Sequence, residues 1–248
     1  MSTPWVPRTV AAGGHAFVIG DIHGCIHELV AILDFITPRL SSADVVVFLG
    51  DYVDRGPASK AVVERVLEFK AAFPGTVLLK GNHEQMLQDF LTDNRSIEHP
   101  YLMHGGRETF ESYGAPFAQM LEDPLSAIPE THQEFYRALE LGVVFGRYLF
   151  VHAGVDPGIP LQSQQEEDLL WVRERFLREN HDLPFTVVHG HTAFENVAIR
   201  RGIRIGIDTG AVFGNLLTCL ELPTGVAYQV KRGETRVVVR QLPNCGAE

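Results

Sequence analysis

Five short apolar stretches of this sequence lead directly into side chains that commonly bind metal ions. Polar residues follow or end these stretches in "GDIHG", "GDYVDRG", "GNHE", "VHAG" and "VVHGHT". The donors delivered in this way are Asp21, His23, Asp51, Asn82, His152 and one of the two histidines His189 and His191, between which the residues alone leave the choice open. Carboxylate, imidazole and amide donors of this mixed kind are ligands for divalent transition metals. The pattern therefore favours a metal centre, and the total of eleven histidines fits metal or phosphate chemistry.

One such stretch alone would predict no more than a turn, because glycine and aspartate are ordinary turn residues. Here the pattern recurs several times in order, each time after an apolar run. Ligand sites of α/β proteins lie outside the carboxyl ends of the strands, where several loops converge. We therefore expect these stretches to deliver their side chains to one place.

The apolar stretches have the length and composition of buried strands. "HAFVIG" (15–20), "DVVVFLG" (44–50) and "TVLLKG" (76–81) alternate with helical patterns at intervals of about thirty residues, as βαβ units do. From Val143 onwards strand patterns dominate, and one helix is predicted near residues 166–178. The sequence thus predicts an α/β protein.

The organisation of the chain is predicted to be simple. No linker long enough to divide domains is found, so residues 1–248 are expected to form a single domain. Residues about 92–135 have a helical pattern broken by glycine and proline, and we expect a helical insert or lid that overhangs the site. Residues 243–248 are predicted to be a loose tail.

Composition excludes several classes of partner. A hydrophobic content of 45% with 21% charged residues is typical of a globular protein, and the net charge of −10 disfavours a nucleic acid as partner. No apolar run approaches the ~20 residues that span a bilayer, so no membrane partner is expected. The three cysteines, Cys25, Cys219 and Cys245, are too few for a disulfide framework. We interpret the chain as a cytoplasmic protein.

The five motifs, in this order, resemble those of the calcineurin-like metallophosphoesterases of the phosphoprotein phosphatase family. "GNHEQM", "LLWVRER" and "IDTGAVFGNL" are similar to the bacterial and bacteriophage serine/threonine phosphatases of the lambda type. The similarity covers residues of about 18–222. It implies a calcineurin-like fold, with a two-sheet β-sandwich core flanked by helices.

The resemblance also implies a binuclear metal centre. Asp21 and His23 would hold the first ion, and Asp51 would bridge the two. The second ion would be held by Asn82, His152 and His191. Two divalent cations are expected, Mn²⁺ foremost with Fe or Zn²⁺ as alternatives, because mixed Asp, His and Asn donors suit these ions better than Ca²⁺. A hydroxide that bridges the ions would attack phosphorus.

Substrate phosphate would be bound by Arg55, by Asn82 and by Arg173, the first arginine of "WVRER". Arg175 is the competing residue in that motif, and the alignment of the motif favours Arg173. A planar guanidinium suits bidentate capture of a phosphoryl group.

The leaving oxygen needs a proton, and two residues are assigned to that step by the resemblance. His83, next to Asn82, would be the general acid. Asp54 would hold the His83 imidazole in the donating orientation.

Several other polar residues have simpler explanations. His27 is expected to be an exposed residue of a first helical turn, His189 to lie near the site, and His104 to be a loop or lid residue at the substrate mouth. Asp208 is predicted to form a turn and Cys25 to be a small buried residue. Surface positions are predicted for His15, His99, His132 and His181.

The predicted function is metal-dependent phosphomonoester hydrolysis by a serine/threonine protein phosphatase, with dual specificity for phosphotyrosine also considered. Its substrate would be a phosphorylated protein or a small phosphoester. A dinucleoside polyphosphate hydrolase, acting for example on diadenosine tetraphosphate, is the alternative within enzymes. A non-catalytic metal-binding scaffold is the alternative of another class, and the presence of His83, Asp54, Arg55 and Arg173 argues against it.

Overall fold

Two β-sheets form the centre of a computed structural model that describes residues 5–92, 101–243 and 245. In chain order the strands are β1 Arg8–Val10, β2 Ala16–Ile19, β3 Val45–Phe48, β4 Val77–Leu78, β5 Gly142–Phe145, β6 Tyr148–Val151, β7 Thr186–His189, β8 Ala198–Arg200, β9 Arg204–Gly206, β10 Leu216–Leu222, β11 Val226–Lys231 and β12 Val237–Gln241. Within the described residues, one sheet has the order β4-β3-β2-β10-β11-β12 and the other β1-β5-β6-β7-β9-β8.

The α-helices of the described part of the chain all lie between β2 and β7 in the sequence. They are α1 Ile26–Ile36, α2 Ser59–Ala72, α3 Asn82–Leu91, α4 Arg107–Ser112, α5 Phe117–Glu122, α6 Glu130–Arg137, α7 Glu166–Trp171 and α8 Glu174–Arg178. A π-helical turn, Leu102–Gly106, precedes α4.

The inner strands are apolar on both faces because each sheet packs against the other sheet and against helices. In β3, Val45 and Val47 belong to the core between the sheets, whereas Val46 and Phe48 belong to the core under the helices. This alternation follows from the two-residue period of a strand. It explains why β3 is a continuous apolar run rather than an alternating one. The predicted α/β class and two-sheet fold are confirmed.

The direction of the strands determines where their loops meet. β2, β3 and β4 pair in parallel, and so do β6 and β7. Parallel strands end at the same edge of a sheet, so the loops that follow them lie side by side.

The predicted insert is part of the core where it is described. Tyr101, Phe110, Met120 and Phe135 are buried in the same cluster as residues of α1, α2 and α3. Residues 93–100 lie outside the described residues, and the single-domain organisation stays a prediction.

Two local predictions are corrected. The helix expected over residues 166–178 is two helices, because Val172 and Arg173 leave helical geometry, Arg173 with φ −131° and ψ −97°. The tail is not wholly loose: Cys245 is 2% exposed and packs into the core between the sheets. Residues 244 and 246–248 lie outside the described residues. No helix of the described ranges combines the length and apolar character needed to cross a bilayer.

Candidate metal centre

Donor atoms from separate loops converge at the carboxyl ends of the strands. One group, His23, Asp51 and His83, has a ligand atom from each residue within 4.8 Å of the others. Asp51, His152 and His191 form a second group by the same measure. Asp51 follows β3 and belongs to both groups, which is the geometry required of a carboxylate that bridges two ions.

The backbone at this site adopts unusual conformations. Among the described residues, positive φ at non-glycine positions occurs at His23, Asp51, Asp54, Arg55 and His191, with values between 45° and 70°. Left-handed conformations of L-residues cost about 1–2 kcal/mol each and cluster at functional sites. Here all five of these residues come from the stretches that the sequence singled out.

Backbone carbonyls orient two of the histidines. Nδ1 of His23 lies 2.7 Å from the carbonyl oxygen of Val53, and Nδ1 of His152 lies 2.9 Å from that of Leu49. Because a carbonyl only accepts, Nδ1 is the donor in both pairs, and Nε2 of each ring keeps its lone pair. Hydrogen bonds of this kind orient metal-binding histidines in proteins.

Two imidazole nitrogens lie close to Oδ1 of Asn82. Nε2 of His152 lies 3.0 Å from Oδ1 of Asn82 and 3.4 Å from Oδ1 of Asp51. Nδ1 of His191 lies 2.9 Å from the same Asn82 oxygen, and its buried Nε2 has no hydrogen-bond partner. Because Nδ1 of His152 donates to Leu49, its Nε2 and Oδ1 of Asn82 are two buried acceptors that face each other without a proton, which is unfavourable, and a cation removes the repulsion. The donor set therefore fits a divalent metal ion.

Asp21 belongs to neither of the two donor groups. Its carboxylate accepts the backbone N–H of His191 at 3.0 and 3.2 Å. A side chain at position 190 would collide with it, since a Cβ on Gly190 would lie 2.0 Å from Oδ1 of Asp21. Burial and the negative charges of Asp208 and Asp51 raise the pKa of Asp21 well above its ordinary value. A nearby cation would relieve this cost.

The charge states of Asp51, His152 and His191 suit metal binding. Burial opposes the charge of Asp51, but His152, His83 and His23 hold the pKa of that carboxyl well below its ordinary value. Burial lowers the pKa of His152, and it lowers the pKa of His191 to about 2. Neutral imidazoles and an ionised carboxylate are the forms that ligate metals.

Glu84 holds the loop that carries Asp51. Its fully buried carboxylate accepts four backbone N–H groups, from Gly81 and Asp51 at 2.9 Å, from Tyr52 at 2.8 Å and from Val53 at 3.2 Å. This side chain ties the start of α3 to the turn after β3. Sequence reasoning missed its role, although its position three residues into α3 is a capping-box signal.

His83, a member of the first donor group, forms a buried pair with Asp54. Nδ1 of His83 lies 2.7 Å from Oδ2 of Asp54, and Nε2 of His83 is buried without a hydrogen-bond partner. Burial lowers the pKa of His83. The hydroxyls of Tyr101 and Thr109 also contact Asp54, and neither residue was singled out from the sequence.

Arg55 lies at the open side of the cluster. Its Nη1 lies 2.6 Å from Nε2 of His23, and its backbone N–H donates to the carbonyl of Gly105 at 3.1 Å. Gly105 has φ 98°, and a Cβ there would lie 2.3 Å from the Arg55 nitrogen, so only glycine allows this approach. The predicted insert thus contacts the turn that carries Arg55.

The two candidate arginines after Trp171 have different surroundings. Nη1 of Arg173 donates to the carbonyl of His191 at 3.3 Å, which places this arginine beside the donor cluster. Arg175 instead pairs with Asp156 at 2.5 Å and with Glu179 at 3.6 Å. The geometry favours Arg173 of the two.

A cavity of about 560 Å³ adjoins Arg55. Its lining is formed by Arg55, Leu102, Met103, His104, Gly105, Glu108, Val212 and Phe213. Met103 is 74% exposed and Phe213 66%, and the Arg55 guanidinium lies 5.4 Å from the centre of the Phe213 ring. The ring of His104 lies 6.4 Å from that of His83, so this exposed histidine stands at the mouth of the site.

Several of the remaining candidate residues lie where the sequence predicted them. His27 is exposed in the first turn of α1, and Cys25 is buried. His189 is buried between Phe176 and Phe194. His15 is partly exposed, and His99 lies outside the described residues.

His132 and His181 were predicted on the surface, and this is wrong. They are 4% and 5% exposed. His132 contacts the hydroxyl of Tyr113 at 2.7 Å, and His181 stacks on Phe176. Asp208 forms a turn, as predicted, because its carboxylate accepts the N–H of Gly210 at 2.9 Å; it is 6% exposed and its charge acts on Asp21.

The fold and the buried cluster define a class: two-sheet α/β proteins with a polar site at the strand ends. A family model described as calcineurin-like phosphoesterase matches residues 15–212. The chain belongs to the calcineurin-like phosphoesterase family. The predictions of this family and of a hydrolytic enzyme are confirmed.

Two relatives with curated names illustrate different activities. Serine/threonine-protein phosphatase 1 of Salmonella typhimurium (strain LT2) is 32% identical over 213 residues, which cover 82% of this chain and 90% of that protein. Bis(5'-nucleosyl)-tetraphosphatase PrpE of Bacillus subtilis (strain 168) is 29% identical over 231 residues, covering 83% of this chain and 90% of that protein. A cold-active protein tyrosine phosphatase has a similar structure, with a TM-score of 0.66 at 17% identity over 99% of this chain and 84% of that one. The last similarity shows the fold alone.

Proposed function

We propose that the protein is a metal-dependent phosphomonoester hydrolase that acts on phosphoserine or phosphothreonine in proteins. The observation that carries this proposal is Asp51, whose carboxylate is shared by two donor groups next to the His83–Asp54 pair. A shared carboxylate supports a binuclear centre, and a paired histidine beside it supports proton donation to a leaving oxygen.

Two divalent cations are the cofactors we propose, with Mn²⁺ as the first candidate and Fe or Zn²⁺ as alternatives. Asp21 and His23 would hold one ion and Asp51 would contact both. The second ion would be held by Asn82, His152 and His191. When bound, the cations supply Lewis acidity and acidify a water molecule at neutral pH.

The chain's own residues would bind and orient the phosphoryl group. Arg55 stands at the open side of the cluster with a guanidinium that can engage two phosphoryl oxygens, and Asn82 lies at its centre. Arg173 would contribute a second guanidinium from the side of His191. Fixed cations beside the reacting phosphorus stabilise charge on its equatorial oxygens.

His83 would donate the proton that the leaving oxygen needs. Its Nδ1 is committed to Asp54, so Nε2 is the atom available to the substrate. Asp54 would stabilise the protonated imidazole and fix its orientation, as a carboxylate does in other acid–base pairs.

A specific observation favours a second candidate function, the hydrolysis of dinucleoside tetraphosphates. The exposed ring of Phe213 lies beside Arg55 in the cavity of about 560 Å³, where a base could stack. Relatives named as bis(5'-nucleosyl)-tetraphosphatases support it equally in coverage. Phosphoprotein hydrolysis remains the first proposal because the relative named as a serine/threonine phosphatase has the higher identity.

Compartment and other partners are proposed from composition. The three cysteines are free and buried, which fits the reducing cytoplasm of a bacterium. The net charge of −10 gives no reason to propose a nucleic acid, and no membrane partner is proposed.

Turnover after metal removal tests the proposal. Purified protein is stripped with a chelator, metals are added back singly, and hydrolysis of a phosphoserine peptide and of diadenosine tetraphosphate is compared. We expect activity to return with Mn²⁺ and to favour the peptide. A clear preference for the nucleotide would select the second candidate, and metal binding without turnover of any ester would select the scaffold.

Asp51→Asn, with Asp44→Asn as the control, tests the shared carboxylate. Asp51 follows β3, whereas Asp44 precedes it at the opposite end of the strand. We expect Asp51→Asn to lose metal and activity and Asp44→Asn to retain both. Equal metal content in the two variants would contradict the proposed centre.

A further inference from the structure

The predicted insert places two buried hydroxyls on Asp54. Oγ1 of Thr109 donates to Oδ1 of Asp54 at 2.6 Å, and the hydroxyl of Tyr101 donates to the same oxygen at 3.2 Å. The other oxygen, Oδ2, faces Nδ1 of His83 at 2.7 Å. Asp54, His83, Tyr101 and Thr109 are all fully buried. One carboxylate oxygen is therefore hydrogen-bonded to the insert and the other to the histidine.

Thr109 also holds the backbone of Asp54. The Asp54 N–H donates to Oγ1 of Thr109 at 2.9 Å and lies 3.1 Å from Oγ of Ser59. Because the single proton of Thr109 is committed to Asp54, Ser59 is the donor in the 3.1 Å contact between the two hydroxyls. Asp54 is thus fixed through both its carboxylate and its N–H, although its backbone has φ 70°.

We propose that Thr109 and Tyr101 are positioning residues for proton transfer: they hold the Asp54 carboxylate so that Oδ2 keeps the His83 imidazole aimed at the leaving oxygen. This inference rests on the proposed role of His83. The insert is then a part of the acid machinery and not only a cover for the site.

The geometry distinguishes this role from ordinary packing. A buried ionised carboxylate needs several donors, and hydrogen bonds to charged groups are stronger than those between neutral groups. Without Thr109 and Tyr101, Oδ1 of Asp54 would lose both side-chain donors named above. The carboxylate would then be free to rotate, and the orientation of His83 would be lost with it.

The dependence of kcat on the leaving group separates this role from a structural one, because a structural defect would slow both esters alike. Protonation by a general acid matters for a poor leaving group and hardly for a good one, and it is worth about 10²–10⁴-fold. The substrates are phenyl phosphate and 2,4-dinitrophenyl phosphate, used with the metal-loaded enzyme. The variants are Thr109→Val and Tyr101→Phe, which remove the hydroxyls and keep the shape of the side chains.

We expect Thr109→Val to lower kcat for phenyl phosphate by about 10-fold or more and to leave turnover of the dinitrophenyl ester within about 3-fold. Tyr101→Phe should act in the same direction with a smaller effect, because its hydrogen bond is longer. KM should not change in either variant. Thr109→Ser, which keeps the hydroxyl, should restore the wild-type ratio of the two rates.

Two matched variants complete the test. Thr76→Val removes the hydroxyl of another buried threonine, which bonds the Phe73 carbonyl before β4 and lies away from the site; it should lower stability without changing the ratio. His83→Gln should show the steepest leaving-group dependence of the series. If His83→Gln is steep and Thr109→Val affects both esters equally, the positioning role is overturned and the proposed function stands. If His83→Gln is also flat, the acid role of His83 is overturned and the positioning role with it, whereas loss of phosphoester turnover by the metal-loaded wild type would overturn the proposed function itself.

Discussion

Nδ1 of His83 and Oδ2 of Asp54 lie 2.7 Å apart although 29 positions separate the two residues in the chain. The pair joins the start of α3 to the turn after β3, and both side chains are buried. Asp54 has a positive φ, so the backbone is bent to bring this carboxylate to the histidine. Strained backbone of this kind clusters at functional sites, which supports the proposed role of the pair in proton donation.

Asp54→Asn should lower kcat on a phosphoserine peptide by about 10²-fold, because the neutral amide no longer stabilises the protonated imidazole. Metal content should be unchanged, since both oxygens of Asp54 are engaged by His83, Tyr101 and Thr109 and Asp54 is not one of the proposed ligands. The measurement is steady-state kinetics together with metal analysis of the same preparation. A variant with wild-type kcat and full metal content would contradict the proposed acid pair.

Glu84→Gln should destabilise the protein and weaken metal binding. Glutamine offers one acceptor oxygen, so its amide NH₂ would face two of the four N–H groups that the carboxylate accepts. Unsatisfied buried donors cost about 1–3 kcal/mol each. The free energy of unfolding, measured with and without chelator, checks the first effect, and metal titration checks the second.

Glu221→Gln is the matched control for Glu84→Gln. Glu221 is also buried, but it lies near the end of β10 and pairs with His15 and Tyr228 away from the donor cluster. We expect this variant to bind metal as the wild type does. Equal metal affinities in Glu84→Gln and Glu221→Gln would show that Glu84 does not position Asp51.

Acid should destabilise the protein partly through His132. Burial lowers the pKa of His132 below its ordinary value of 6.5, with Glu64 acting to raise it and Lys60 to lower it. The unfolded chain therefore takes up the proton first, and stability is lost as the pH falls below about 6.5. His132→Gln should flatten the decline of the free energy of unfolding between about pH 7 and 5.

The control for the pH experiment is His27→Gln, because His27 is exposed in α1. This variant should keep the wild-type slope of unfolding free energy against pH. A wild-type slope in His132→Gln would show that His132 is protonated as easily in the folded protein as in the unfolded chain.

The strands and the site stretches could be predicted because their signals are local. β2 and β3 are continuous apolar runs that end at glycine, and the polar residues follow within a few positions. The parallel pairing of these strands then brings the stretches together without further information. The alternation of strand and helix was enough to predict the sheet class.

The contacts of the insert could not be predicted, because they join residues far apart in the chain. Thr109 meets Asp54 across 55 positions and Tyr101 does so across 47. Threonine and tyrosine are ordinary residue types in a helical pattern, so no local signal distinguishes Thr109 and Tyr101. The same reason explains His132 and His181, whose burial depends on aromatic partners that no periodicity reveals.

Arg173→Ala and Arg175→Ala should separate phosphate binding from surface ion pairing. Arg173 lies against the His191 carbonyl, whereas Arg175 is engaged by Asp156 and Glu179. We expect Arg173→Ala to raise KM for a phosphopeptide by about 10-fold or more, because a charge-assisted contact to phosphate is lost. Arg173→Lys should recover only part of the lost phosphate binding, since an ammonium group lacks the planar fork of a guanidinium. Arg175→Ala should leave KM unchanged and alter the free energy of unfolding by no more than about 1 kcal/mol, as exposed ion pairs do. The opposite order of effects on KM would assign the phosphate contact to Arg175.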